Sequence, residues 1–220
     1  MERTPRPSEA PDWDDVRAFI RARLPLGPVP GVPEIRLHRA GPASGLSRLA
    51  ERDEAGFGSP YWAYHWGGGL ALARHVLDRP QTVRGRAVLD LGAGSGLVAI
   101  AAALAGARTV IAADIDPYAA AVLPLNAEAN GVSLMVLRED LTGGAPPAGV
   151  EAVLVGDLFY EDKLARGVAA FLDRCLGAGI TVLVGDPGRA FLPRQRLREH
   201  ATYRVTERGE TASAWVFAFE

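Results

Sequence analysis

The stretch RAVLDLGAGSGLVAIAAALAG, residues 86–106, constrains the fold more than any other part of the chain. A run with strand character, RAVLDL, passes straight into glycines at 92, 94 and 96, and an apolar helix-forming run follows at once. Glycine has no Cβ, so such a loop can turn sharply and bring its backbone close to a ligand. A bare G-x-G is weak evidence by itself. Here a second strand, TVIAADI (109–115), follows the helix and ends on an acid, with Asp114 twenty residues after Gly94. Parallel sheets that hold nucleotides place a carboxylate for ribose hydroxyls at that offset. The glycines are spaced G-A-G-S-G, not G-x-G-x-x-G, and Asp90 stands two residues before the first of them. That carboxylate would repel a pyrophosphate and attract a ligand bearing sulfonium and ammonium groups.

The alternation of strand and helix extends to the end of the chain. WGGGLALARHVLD (66–78) reads as a helix after its glycines, and PYAAAVLPLNAEAN (117–130) as a helix with Pro in its first turn. VSLMVLRED (132–140) and VEAVLVGD (150–157) read as strands, EDKLARGVAAFLDRCL (161–176) as a helix and GITVLVGD (179–186) as a strand. RAFLPRQRLREH (189–200) is expected to be a helix interrupted near Pro193, and ATYRVTER and SAWVFAFE to form a hairpin through GETA. Near-continuously apolar strands joined by helices imply an open sheet covered on both faces, with the hairpin adding an antiparallel strand. Residues 1–58 differ: a helix at 11–24 with Trp13, Val16, Phe19, Ile20 and Leu24 on one face, a proline-rich loop PLGPVPGVP, a short strand EIRLH (34–38) and a short helix at 44–54. They are expected to form a cap on a main domain spanning 59–220.

Lys plus Arg is 24 against 26 for Asp plus Glu, a net charge of −2, which argues against a general nucleic-acid binder. No stretch reaches the ~18 apolar residues of a membrane span. Cys175 is the single cysteine, so no intramolecular disulfide and no zinc site of finger spacing is expected. No coiled-coil heptads or other assembly signal stands out. A cytoplasmic protein, monomeric or weakly dimeric and without a metal, is expected.

Three further stretches carry chemistry. GDLFYED (156–162) follows the fourth parallel strand at the carboxyl edge of the sheet, where ligands of such folds bind. There Asp157 could receive an ammonium and orient the amine, while Phe159 and Tyr160 wall off water and stack on a cation. An Asp157 facing an open cleft would support little packing, so its loss would spare stability. The competing reading makes Asp157 the cap of the following helix and Phe159 a core residue. PYWAYHWGGG (60–69) is either a hydrophobic seam or a site where Trp66 covers part of a ligand. GDPGRAFLP (185–193) repeats an acid at a strand end, and Asp186 and Arg189 are open between turn residues and acceptor-channel residues.

The LDLGAGSG loop with Asp114 resembles the first motif of seven-strand S-adenosylmethionine-dependent methyltransferases, and Asp140 resembles their adenine-binding acid. A non-binding Rossmann-like domain and a nicotinamide dehydrogenase are the competing readings. PYWAYHWGGG, VLDLGAGSG with ADIDP, GDLFYED and VGDPGR, in this order, resemble the protein-lysine methyltransferases that modify the β-subunit of electron transfer flavoprotein. The wider group shares a D-x-x-Y element, here Asp157 to Tyr160, where base and amide methylases carry N-P-P-Y or D-P-P-Y. The resemblance implies an α/β, Rossmann-like seven-stranded methyltransferase sheet, mostly parallel with one antiparallel strand, with helices on both faces and an N-terminal cap. It implies S-adenosyl-L-methionine as cofactor, bound by Trp66, Asp90, Gly92, Ala93, Gly94, Gly96, Asp114, Ile115, Asp140 and Asp157. It makes Asp157 and Tyr160 catalytic, and a lysine of that β-subunit the acceptor. A small-molecule (for example nicotinamide-like) or ribosomal-protein N-methyltransferase is the alternative, and a non-catalytic binding module is a third reading. An open acceptor groove would favour a protein substrate; a pocket sealed by residues 1–58 would favour a small one.

Overall fold

The structure is a computed structural model that describes residues 11–53, 56–207 and 209–220. The first ten residues of the expected cap, Glu54 at the end of its expected short helix, and residue 208 near the hairpin tip lie outside the described residues.

Seven strands form the main sheet: β3 (Ala87–Leu91), β4 (Thr109–Ala113), β5 (Met135–Leu137), β6 (Ala152–Gly156), β7 (Thr181–Asp186), β8 (Leu197–Glu207) and β9 (Glu210–Phe219). Their order is β5-β4-β3-β6-β7-β9-β8. Pairings from β5 across to β7 are parallel, and β9 runs antiparallel to both β7 and β8. Alternate residues of each central strand feed opposite cores. Val88 of β3, Leu154 of β6 and Leu183 of β7 pack with α3 (Gly67–Asp78) and α4 (Leu97–Leu104). Leu89, Val153 and Val182 pack with Phe171, Leu172 and Cys175 of α6 (Asp162–Gly177). Both faces are therefore dry, which is why these strands lack a polar alternation. The order reverses at β3, so a crevice opens at its carboxyl end beside β6.

The amino-terminal segment packs on the helices that cover one face of the sheet. α1 (Trp13–Arg23), whose first turn is capped by Asp12, buries Val16 and Ile20 with Leu24 and with Leu49 of α2 (Ser47–Arg52) against Tyr118, Ala119, Val122 and Leu125 of α5 (Pro117–Ala129). The proline-rich stretch is not a loop. Leu26–Val29 and Val32–His38 pair as an antiparallel ribbon, β1 and β2, turning at Gly31 with φ +81°. Proline is tolerated in such a two-stranded ribbon because one side of each strand needs no partner. The edge of β2 that faces α5 is satisfied by two amides. Asn126 accepts from His38 N at 2.8 Å, and Asn130 accepts from Arg36 N at 2.8 Å and donates to its carbonyl.

Other departures are local. The expected helix at 189–200 is a turn and a short 3₁₀ segment (Arg194–Arg196), after which β8 starts at Leu197, because pairing with β9 wins over helical propensity next to Pro193. The expected strand 132–140 shrinks to Met135–Leu137, the residues that find partners on β4. α3 starts at Gly67, so the glycines form its first turn and do not precede it.

Candidate active site

The glycine loop is built as a socket. Gly92, Gly94 and Gly96 have φ of +70°, +52° and +85°, conformations that a side chain would strain. Gly92 N and Ala93 N donate to Ala113 O at 2.9 and 3.0 Å, pinning the loop to the end of β4. Asp114 then closes it: one carboxylate oxygen accepts Gly94 N at 2.7 Å and the other accepts Asp116 N at 2.9 Å. Each oxygen keeps a lone pair, so two acceptor positions remain for hydroxyls. Burial raises the Asp114 pKa, and its backbone N–H partners oppose that rise. Ile115 beside it is 66% exposed, an apolar side chain presented to solvent. Asn126 reaches the loop from α5, donating to Ser95 O at 2.8 Å.

Asp90 is not open to a ligand. It is 2% exposed and accepts Ala99 N at 2.8 Å, so it caps the first turn of α4 from below the loop. Burial pushes its pKa up to about 7. Asp140 lies three residues beyond β5, exposed, and accepts from the backbone and hydroxyl of Thr142.

GDLFYED meets the glycine loop directly. A Cβ at Gly92 would lie 2.6 Å from Leu158 Cδ2, so the Leu158 side chain packs on the glycine loop and would have to turn away from any larger residue there. Asp157, first residue after β6, has φ +59°, the left-handed region that Asp tolerates at a turn. Its carboxylate faces inward. Oδ1 receives Arg189 Nη2 at 2.6 Å and Nε at 3.1 Å, and Oδ2 receives Gly69 N at 2.8 Å. Three of about four acceptor positions are thus filled. Asp157 is 7% exposed, and burial raises its pKa to about 6 against the opposing pull of Arg189. It caps a helix, as the bland reading held, but that helix is α3 and not α6, which Glu161 begins without a side-chain cap. The expectation that Asp157 faces an open cleft and supports little packing is corrected: it ties β6, α3 and the turn after β7 together. Phe159 is 0% exposed in the core with α6 and cannot wall a cation site.

Around this carboxylate stand groups that sequence reading left open or missed. Arg189 also reaches Glu207 at 4.0 Å, and Glu207 accepts Gly67 N at 2.8 Å, so two carboxylates from other elements cap α3. Asp186 is fully buried; its Oδ1 accepts the N–H groups of Gly188 and Arg189, while Oδ2 has no hydrogen-bond partner among the described residues. Burial raises its pKa. Two carboxylates, Asp157 and Glu207, meet the one guanidinium, which leaves the site net negative, and Asp186 is buried on the backbone beside it. Trp66 lies on this side, its ring 5.8 Å from the Arg189 guanidinium and its indole N–H donating to Tyr61 O. The tryptophan beside Gly94 is Trp62. Tyr61 and Tyr160, 48% and 43% exposed, meet edge to face at 5.6 Å and form an open aromatic wall.

The glycines of the W-G-G-G stretch explain how these groups converge. A Cβ at Gly68 would lie 2.1 Å from Gly185 O, and one at Gly156 would lie 3.1 Å from Gly69 Cα. The first turn of α3 therefore lies backbone against backbone on the ends of β6 and β7. The sequence signal was the tripeptide VGD, which recurs at the carboxyl ends of both strands, at 155–157 and 184–186.

Comparison with known proteins identifies the lineage. An electron transfer flavoprotein beta subunit lysine methyltransferase from Xenopus laevis is 41% identical over 176 residues, covering 79% of this chain and 71% of the relative. The chain belongs to that family. Relatives of the same name from Danio rerio and Homo sapiens are 45% and 40% identical, and the chain spans only 55% and 56% of their lengths. The family model for ribosomal protein L11 methyltransferase matches residues 71–154, which ends before Asp157. Among solved structures, a putative RNA methyltransferase from Pyrococcus horikoshii superposes with a TM-score of 0.54 at 18% identity, covering 79% of this chain and 94% of that one. A magnesium protoporphyrin IX methyltransferase from Synechocystis gives 0.52 at 16%, covering 70% and 80%. Both are likenesses of fold, and both match the seven-stranded sheet described above.

Proposed function

We propose that the protein is an S-adenosylmethionine-dependent protein-lysine N-methyltransferase acting on the β-subunit of electron transfer flavoprotein. The observation that carries this reading is the contact between the glycine loop and GDLFYED at Gly92 and Leu158, beside a net-negative cluster with an exposed aromatic wall. The names of the family members supply the substrate.

The residues fit the cofactor. Gly92, Ala93, Gly94 and Gly96 shape a backbone socket that is open at Gly94, Asp114 keeps two free acceptor positions for ribose hydroxyls, and Ile115 offers an apolar surface to a flat ring. Asp140, exposed near the same edge, is assigned to the base, and Trp66 and Asp157 to the methionine end. Asp90 acts indirectly, by holding α4 under the loop. When bound, the cofactor supplies an electrophilic methyl group. The chain's own task is then to position an amine and exclude water.

A lysine amine with an ordinary pKa of ~10.4 is neutral about once in a thousand molecules at pH 7. The carboxylates of Asp157 and Glu207 draw the ammonium in. Asp157 has one acceptor position left, on Oδ2, and in this reading that lone pair orients an amine N–H after the proton has left to solvent. Tyr160 and Tyr61 flank the approach and stabilise cationic charge on nitrogen. The cap packs on α5, and Tyr61 and Tyr160 stay exposed, which supports a macromolecular acceptor over a sealed small-molecule pocket. The family-model match covers the glycine-loop half alone, so it gives the ribosomal-protein alternative no support on the acceptor side. The proposal includes a reducing cytoplasm, consistent with one buried cysteine, and action as a monomer or weak dimer.

The test is incubation with recombinant electron transfer flavoprotein and labelled methyl donor, followed by mass spectrometry. Methyl groups on β-subunit lysines are expected. Label on other proteins only would remove the substrate, and no donor binding by calorimetry would remove the whole reading.

A further inference from the structure

At the opposite, amino-terminal edge of the sheet, the chain gathers positive charge that the methyl-transfer reading does not use. A cavity of about 300 Å3 opens between the last turn of α3, the start of β7 and the edge strand β8. His75, His200, Arg79, Arg86, Thr82 and Thr181 line it, and among the described residues no carboxylate does. In a chain of net charge −2 this is a local excess and not a general trend.

The excess has no ion pair of its own. Among the described residues neither Arg79 nor Arg86 has a carboxylate within 4.0 Å. Arg79 spends its donors on neutral partners, the Tyr203 hydroxyl at 2.8 Å and His75 Nδ1 at 3.2 Å, and Arg86 approaches Thr181 Oγ1 at 3.4 Å. The acids nearest to this edge are already taken, Asp78 by Arg74 and Glu151 by Arg108 and the backbone N–H of Ala87.

Two details of the backbone and burial set this apart from an ordinary solvated basic face. His200 is the extra residue of a β-bulge: Glu199 pairs with Phe217 and Ala201 with Val216, leaving His200 unpaired. Bulges re-aim side chains, and this one brings the His200 ring to 6.3 Å from that of His75. His75 itself is 2% exposed, and since Arg79 can only donate, the Nδ1 that faces it carries no proton. Burial, Arg79 and His200 together pull the His75 pKa down to about 4. With His75 neutral and accepting from Arg79, the positive charge of the cavity rests on the two guanidiniums, which a bound anion would pair.

We infer that this cavity is a binding site for the phosphoryl group of a small phosphorylated molecule. The donor set is two guanidinium forks, two hydroxyls and two imidazoles, which surrounds a tetrahedral dianion better than a planar carboxylate. The cavity has room for more than one phosphoryl group, so inorganic phosphate, pyrophosphate and a nucleoside 5′-monophosphate are distinguishable occupants of one chemistry.

The experiment is titration of the full chain with each of these three at constant ionic strength, following imidazole resonances of His75 and His200 by NMR and heat by calorimetry. Saturable binding with shifts at both histidines is expected. Tighter binding of pyrophosphate or of the nucleotide identifies which form the cavity suits. Arg86→Gln is expected to weaken binding about tenfold or more, the loss of a charged hydrogen-bonding partner. Arg84→Gln, an arginine on the same edge outside the cavity lining, is expected to leave it unchanged. Arg79→Gln is read only if far-UV circular dichroism shows a native fold, since Arg79 also holds Tyr203; Arg86→Gln decides alone otherwise. Absence of saturable shifts, or equal weakening by Arg84→Gln and Arg86→Gln, would overturn the inference. The outcome is independent of whether the chain transfers methyl groups.

Discussion

Gly68→Ala isolates the contact on which the site is assembled. Gly68 lies in the first turn of α3, so alanine should gain about 1 kcal/mol of helix propensity there. Against this, the added Cβ would sit 2.1 Å from Gly185 O, 2.6 Å from Gly185 C and 2.7 Å from Asp157 Oδ2. Two of these are backbone atoms that no rotamer change can move. Ordinary contact starts at 3.4 Å, so helix and strand must part by about 1 Å. Overpacking of this kind costs about 1–3 kcal/mol. The parting also stretches the 2.8 Å bond from Gly69 N to Asp157, a charged hydrogen bond worth about 1.5–3 kcal/mol. The clash outweighs the propensity gain, and a net loss of about 2–4 kcal/mol is expected, a fall in Tm of roughly 5–15 °C for a chain of this size. Urea unfolding followed by circular dichroism measures it. Gly177→Ala is the control: it ends α6 with nothing within 4 Å of its Cβ position, and it should be neutral or mildly stabilising. A Gly68→Ala midpoint equal to or above wild type would refute the close-approach reasoning.

Asp157→Asn should lower turnover per folded molecule by ~10²-fold. It should also cost about 1–3 kcal/mol in stability, because the amide loses its charged bonds to Arg189; unchanged turnover with lost stability would reduce Asp157 to a structural role. Arg189→Gln removes the cation that opposes the rise of the Asp157 pKa, so that pKa climbs above about 6 and the acidic limb of the pH–rate profile moves to higher pH; an unmoved limb would disconnect Asp157 from catalysis. Asp114→Ala should abolish donor binding in calorimetry, since it loses both the free acceptor positions and the Gly94 N–H that shapes the loop. Asp90 tests linkage: its pKa lies at about 7 folded against 3.8 as a free group, so the folded state binds the extra proton and its stability falls as pH rises between those values. Asp90→Asn keeps the acceptor for Ala99 N and should remove that slope, at most on the order of 4 kcal/mol. Identical pH dependence of the urea midpoint in both proteins would contradict the burial of the charge.

The strand–loop–helix run at 86–106 was legible because each local choice agrees with the final fold: apolar strand, glycines where φ is positive, apolar helix. The same holds for Asp114, whose offset from Gly94 reflects the fixed length of a helical crossover. What sequence could not give was partnership between distant residues. Nothing local ties Arg189 to Asp157, Glu207 to Gly67, or Gly68 to Gly185; those pairings exist only once β7 lies beside β6 and α3 crosses both. The inward turn of Asp157 follows from the same cause, since the helix N-terminus and guanidinium that attract it come from 88 and 32 residues away. The misread at 189–200 has the opposite origin. Leu197 to His200, the part of β8 ahead of the expected strand ATYRVTER, has no strong strand signal of its own, and the partner that makes it a strand comes later in the chain.

Asn126 gives the molecule an unusual mechanical economy. Its carbonyl oxygen holds the main chain of the amino-terminal ribbon at His38, and its amide nitrogen holds the main chain of the glycine socket at Ser95. One fully buried side chain, three bonds long, is thus the shared rivet of two parts of the chain that lie 57 residues apart by their contacting atoms. A rivet transmits displacement in both directions. If the ribbon slides along α5, the socket is pulled out of register with Asp114, and any ligand that tightens the socket also stiffens the ribbon. The ribbon is therefore part of the socket's wall in a mechanical sense, and trimming or loosening it will be felt as a change in grip on whatever the socket holds.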